Sequence, residues 1–289
     1  MIAAFFSALT DPANSFLRNA LLAGLLSSVL FGVLGSIVTV KRIAGLAGAI
    51  SHAVLGGIGM ALYLSASGLV PGMRPMTGAI IFAVLAAFII GLVTLRSKQR
   101  EDTVINAIWA VGMSVGVLFM AKTPGYIDPN SYLFGNILLV SSGDLWLLGI
   151  LDVLVILAVV FFYPQLEASS FDEEFARVRG IRTDAVFLAL LSVTAVAVVL
   201  LQTFVGLVMV IAMLTLPAGT AGAFARNLAG MMFFGTLFSI IFTVSGLALS
   251  WSLDAPSGAL VVVIAGTVFL LQAAIQLIVK RARKKDARK

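Results

Sequence analysis

A succession of apolar runs, each about 20 residues long and set off by short polar breaks, constrains this chain more than any other feature. A run of that length crosses the roughly 30 Å hydrocarbon core of a bilayer as a helix. Charged residues supply only 11% of the 289 positions and hydrophobic residues 61%, so a soluble domain of this size would lack a polar surface. Short alternating strands of the outer-membrane type are absent, which makes the spans helical. The chain therefore reads as an all-α, polytopic membrane protein with about nine transmembrane helices, a single membrane unit over residues 1–289. The spans lie at roughly 17–40, 43–65, 77–96, 103–121, 143–163, 184–203, 205–224, 230–251 and 257–279, the sixth and seventh nearly fused. The start, MIAAFFSALTDPANSFL, has no basic n-region and no cleavage site of small residues, and it does not read as a signal peptide.

Alternation across these spans places Lys41 and Arg42, residues 96–102, the 164–183 loop, Arg226 and the basic tail 280–289 on one side. That side carries 16 of the 19 Lys and Arg residues, leaving Arg18, Arg74 and Lys122 opposite. The positive-inside rule makes the rich side cytoplasmic, with the N-terminus outside and the C-terminus inside. The net charge of +6 is thus a topology signal, and a nucleic-acid partner is not expected. There is no tandem repeat, no soluble domain and no G-x-x-x-x-G-K-[ST] phosphate loop. With zero cysteines, disulfides and thiolate metal sites are excluded.

Polar groups inside the spans are the candidates for chemistry. The only histidine, His52, sits in AGLAGAISHAVLGGIGMAL with Gly48 and Gly56 on the same helix face, four residues to either side. Small residues there let another helix approach, or leave room for a lumen. Counted from Ile43, His52 is about 13 Å into the membrane, and a neutral imidazole offers the acceptor nitrogen a divalent cation seeks. A hydrogen bond to a neighbouring helix would equally account for one histidine. Asp152 is the one carboxylate well inside a span, either a pore ligand or a packing group. Gln202 and Asn106 read as helix–helix contacts. Pro217 in MLTLPAGTAGAF removes a backbone donor, and Gly219 and Gly222 follow, so the seventh span should kink or break.

The most polar internal stretch, EASSFDEEFARVRGIRTD, reads as a short cytoplasmic helix capped by Ser170 and stopped by Gly180. Glu173 and Glu174 fall in its first turn, Arg177 and Arg179 late, and Phe171 and Phe175 on one face. It suits a groove on a soluble partner or a place on the headgroups.

Nearly the whole chain resembles the permease subunits of ABC importers for zinc, manganese and iron. The resemblance is carried by SHA-x-L-x-G-I around His52 and by SYLFGNILLVSSGDL. FDEEFARVRGIRTDAVF, the L-P-A-x-T-A element holding Pro217 and Thr220, and LDAPSGALVVV complete it. It implies a type II importer-like permease in the bacterial inner membrane, working as a homodimer around a pore. Two cytoplasmic ATPases, which hold ATP and Mg, and an extracytoplasmic binding protein would be its partners; the chain itself holds no cofactor and is not an enzyme. Residues 171–182 become the coupling helix, His52 the pore histidine and tentative metal ligand, and Pro217 and Thr220 part of the substrate path. Relatives carry an Asp four residues before that histidine where this chain has Gly48, so the family's N,O ligand pair is absent. Bare ion and metal chelate both stay open as cargo.

Two other classes compete. An ion-coupled secondary transporter would need a relay of intramembrane ionisable groups, for which only Asp152 and His52 qualify. A non-transporting scaffold would show no flux. The outer loops 66–76 and 122–142, with Asp128, Asp144 and Asp254 on or near that face, are expected to dock the binding protein.

Overall fold

The computed structural model describes residues 2–96, 101–125 and 140–286, together with residues 133, 135 and 137; Asp128 lies outside them. A short helix α1 (Ile2–Thr10) and a turn at Pro12–Asn14 lead into α2 (Ser15–Val40), followed by α3 (Ala44–Ala66), α4 (Pro75–Arg96) and α5 (Glu101–Lys122). Next come α6 (Ser142–Phe161), the short α7 (Tyr163–Phe171) and α8 (Glu173–Val178), and α9 (Thr183–Val205). The chain closes with the short pair α10 (Leu207–Met213) and α11 (Leu216–Ala221), then α12 (Leu228–Leu253) and α13 (Ser257–Asp286). Among the described residues, eight helices are long and apolar enough to cross a membrane.

The ninth expected span, 205–224, is not one helix. Gly206 adopts φ +83°, outside the range of ordinary L-residues, and separates α10 from α9. A second break follows at Leu214–Thr215, just ahead of Pro217 in the first turn of α11, where the ring tolerates no upstream helical partner. The seventh crossing is therefore two short pieces.

Hydrogen bonds tie helix ends together at both ends of the bundle. At the outer face, Asn19 Nδ2 donates to the Val140 carbonyl at 3.3 Å. At the cytoplasmic face, Lys41 Nζ donates to the Ser169 carbonyl at 3.0 Å, and the Ala229 amide donates to Tyr163 Oη at 3.1 Å. The α2–α3 corner is a tight C-cap. Arg42 takes the left-handed conformation at φ +59°, the Arg42 amide bonds the Thr39 carbonyl, and the Ile43 amide bonds the Val38 carbonyl. Burial holds the Lys41 ammonium below its ordinary pKa, with the Glu173 carboxylate pulling the other way.

α3 is the central helix. Its best membrane window is 78% buried, against 17% for α5 and for α13, which turn most of their surface outward. Glycines bring α3 close to both neighbours. A Cβ on Gly56 would stand 2.7 Å from the Gly112 carbonyl oxygen of α5, and Gly57 faces Gly78 of α4. In a medium without a hydrophobic driving force, such close backbone approach is how helices gain contact energy.

Candidate functional site

Beside these close contacts, α3 and α5 part at their cytoplasmic ends. A cavity of about 510 Å³ opens there, lined by Gly45, Gly48 and His52 of α3, Asn106 and Trp109 of α5, and Ile211 of α10, among others. Gly48 is what opens the wall: a Cβ built on it meets nothing within 4 Å. One turn deeper, His52 is 6% exposed, and its Nδ1 is buried with no hydrogen-bond partner. The imidazole stacks on the Trp109 indole, ring centroids 4.6 Å apart and planes 18° from parallel. Trp109 itself is 46% exposed and also lines a shallower hollow of about 700 Å³ on the outer face of α5, with Asn106, Met113 and Ser114. The aromatic ring thus stands between two spaces and covers the imidazole.

The chemistry this cavity offers is coordination. The cavity offers one imidazole and one side-chain amide, with no carboxylate. Among the described residues no group of three or more His, Cys, Asp or Glu is placed to hold a metal. This cavity therefore offers a cation one imidazole and one amide from each chain.

The remaining expected residues are distributed elsewhere. Gly56 is on the face predicted, but it is spent on the α5 contact and does not line the cavity. Asp152 is buried in α6, which packs on α2 and α9; it is not part of the His52 cavity, and its Oδ1 has no hydrogen-bond partner. Pro217 and Thr220 are buried in α11, where Thr220 Oγ1 donates back to the Leu216 carbonyl and the Thr220 carbonyl accepts from Gln272 Nε2 of α13. The piece of the broken crossing that reaches the cavity is α10, through Ile211. Gln202 is buried with both amide atoms unpartnered, so it makes no side-chain hydrogen bond to another helix among the described residues. Asn106 lines the cavity instead of joining helices. Trp109, missed in the sequence, is three residues after Asn106, and that i, i+3 spacing was the available signal.

The cytoplasmic segment differs in detail from its expectation. Phe171 ends α7, so it does not share a helix with Phe175. The cap of α8 is Asp172, whose carboxylate accepts from the Phe175 amide; Ser170 lies in the last turn of α7 with its hydroxyl buried and unpartnered. Asp172 wins because its backbone is extended there, at φ −148°, which frees the carboxylate to reach the first turn. Arg177 Nη2 bridges Glu173 at 3.0 Å and Asp184 at 2.8 Å, Arg179 lies 5.0 Å over the Phe175 ring, and Gly180 stops the helix at φ +83°. Glu174 is exposed and in neither ion pair. Phe171, Phe175 and Val178 are 63%, 51% and 87% exposed, apolar side chains presented outward by the α7–α8 segment.

The sequence pattern of the ABC 3 transport family matches residues 13–276. The chain is 36% identical to a probable metal transport system membrane protein of Chlamydia muridarum, over 91% of this chain and 88% of that one. It is 34% identical to the manganese transport system membrane protein MntC of Halalkalibacterium halodurans, over 89% and 86%. Among solved structures, PsaBC of Streptococcus pneumoniae in complex with a Fab superposes with a TM-score of 0.81 at 30% identity, covering 94% of this chain and 95% of that one.

Proposed function

The chain belongs to the ABC 3 transport family, and from that membership we propose that it is the permease through which a transition metal enters the cell, driven by ATPases docked on its cytoplasmic face. The relatives named for metal and manganese transport support the cargo class. One observation carries the assignment of the path. His52, an imidazole with an unpartnered Nδ1, sits at the head of a cavity that Gly48 leaves open. A second copy of the chain would close the pore along the exposed face of α5, presenting two such imidazoles. With one imidazole, one amide and no carboxylate on each side, the metal keeps most of the ligands it arrives with, whether water or a chelator.

Two ATPases would seat on the α7–α8 segment at Phe171, Phe175 and Val178, and an extracytoplasmic binding protein would deliver cargo at the opposite face. ATP and Mg would belong to the ATPases, the whole acting as one membrane unit. Uptake by the reconstituted complex, with Zn²⁺, Mn²⁺, Fe²⁺ and their chelates offered in parallel, tests the reading. His52→Ala should abolish or strongly slow uptake of the transported form. Unchanged uptake of every substrate would remove His52 from the path, and flux without any ATPase would favour an ion-coupled carrier.

A further inference from the structure

A second hollow shares no lining residue with the His52 cavity. Between α6 and α9 runs an apolar groove made of two adjoining hollows of about 300 and 280 Å³ that share Val155, Ala158 and Val193. Its floor is Leu34 and Ile37 of α2. Small side chains make the hollow: Ala158 on one wall, Ala185 and Ala189 on the other, the last two exposed to the surroundings. The groove reaches from Val186 to Val196 along α9, about 15 Å of helix. That is the depth of one leaflet of a roughly 30 Å hydrocarbon core.

Its cytoplasmic end is basic. Lys41 lies one turn beyond Ile37, and Arg182 one turn before Val186, so both cations fall at the mouth where Phe162 and Leu166 end the groove. Arg182 is exposed and has no ion pair among the described residues, and Lys41 uses one of its three N–H donors on the Ser169 carbonyl. Of the acidic groups near this mouth, Glu173 and Asp184 pair with Arg177 and Glu167 accepts from Tyr163 Oη, while Glu173 also acts on Lys41.

We infer that the α6–α9 groove is a binding site for an anionic phospholipid of the cytoplasmic leaflet, one acyl chain lying in the groove and the phosphate meeting Arg182 and Lys41. An apolar trench one leaflet deep must be filled by hydrocarbon when the protein is in a bilayer. Two cations at the headgroup level select which lipid supplies it. The occupied site would link the lipid to the α7–α8 segment, because Ser169 and Leu166 belong to α7. It stands whatever cargo the pore carries.

The test uses the full chain in vesicles of phosphatidylcholine and phosphatidylglycerol, the latter bearing a mid-chain diazirine, with adducts mapped by mass spectrometry. Adducts should concentrate on 151–162 and 185–196 and fall several-fold when the diazirine chain is carried by phosphatidylcholine. Ala189→Phe, or Ala158→Phe from the opposite wall, should fill the groove and remove them, while Arg182→Gln should erase the headgroup preference. Adducts spread evenly over α4, α6, α9 and α13, or unchanged by both filling variants, would overturn the site. So would a disulfide between two copies of a Ser192→Cys chain, since the protein has no other cysteine and such a bond would make the groove an interface between copies.

Discussion

Two glycines on one face of α3, eight residues apart, should respond oppositely to the same change. Gly48→Ala adds a methyl where nothing stands within 4 Å. Gly56→Ala adds it 2.7 Å from the Gly112 carbonyl oxygen and 3.1 Å from the Phe82 ring, and the first of these is backbone, which yields only if α3 and α5 move apart. Both substitutions gain the same helix-propensity term, about 1 kcal/mol in an aqueous helix, so it cancels between them. What separates them is the overpacking at Gly56, about 1–3 kcal/mol. At roughly 2–4 °C per kcal/mol, Gly56→Ala should melt several degrees below Gly48→Ala when both are unfolded in the same detergent or nanodisc. Gly48→Ala should equal or exceed the wild type and keep its transport. Equal melting temperatures would refute the close α3–α5 contact, and a loss of stability at Gly48→Ala as large as at Gly56→Ala would mean that Gly48 does not face open space.

The other predictions concern function. Gly48→Asp places a carboxylate one turn from His52; it should raise affinity for bare Zn²⁺ or Mn²⁺ and slow any chelate, and adding His52→Ala should cancel the gain, as read by parallel uptake of free and chelated metal. Phe175→Asp should release or uncouple the ATPase without changing membrane insertion; a variant that still pulls down the ATPase and transports normally would remove the docking role from this helix. Asp254→Asn keeps the left-handed C-cap of α12 at φ 50° but removes its charge, so weaker capture of the binding protein would mark an electrostatic contact at the outer face. Asp144 is unsuited to that test, because its carboxylate accepts from the Ser141 amide at 2.9 Å, and removing it should cost helix α6 about 0.5–2 kcal/mol in a denaturation assay.

Span length made eight helices readable to within a few residues, because a bilayer demands about 20 apolar positions of each crossing. The same rule over-read residues 205–224, which are apolar enough for a ninth helix. There the backbone freedom of Gly206 and the ring of Pro217 decide the structure, and hydropathy does not register either. His52 and Gly48 share a cavity as their i, i+4 spacing suggested, but periodicity could not separate Gly48 from Gly56: a missing side chain reads alike whether the space is empty or filled by another backbone. Trp109 follows Asn106 at i, i+3, which puts both on one face, but its place over the imidazole shows only in the stacking of the two rings. At the α8 cap, serine and aspartate both satisfy the pattern, and the choice rested on where the preceding helix ends.

The broken seventh crossing bears on the electrical thickness of the protein. Residues 207–221 make about 22 Å of helix, some 8 Å less than the hydrocarbon core, and the remainder is the irregular stretch Gly222–Asn227, which carries Arg226. Backbone without helical partners persists at that depth only against protein or water. Where water follows it inward, the low-dielectric slab is thinned from the cytoplasmic side, beside the crossing that reaches the His52 cavity through Ile211. The work of carrying a divalent charge across falls with the thickness of that slab, so a cation leaving His52 inward would be rehydrated early. On the proposed path, a site with so few ligands of its own would release a metal for the same reason that it need not grip one.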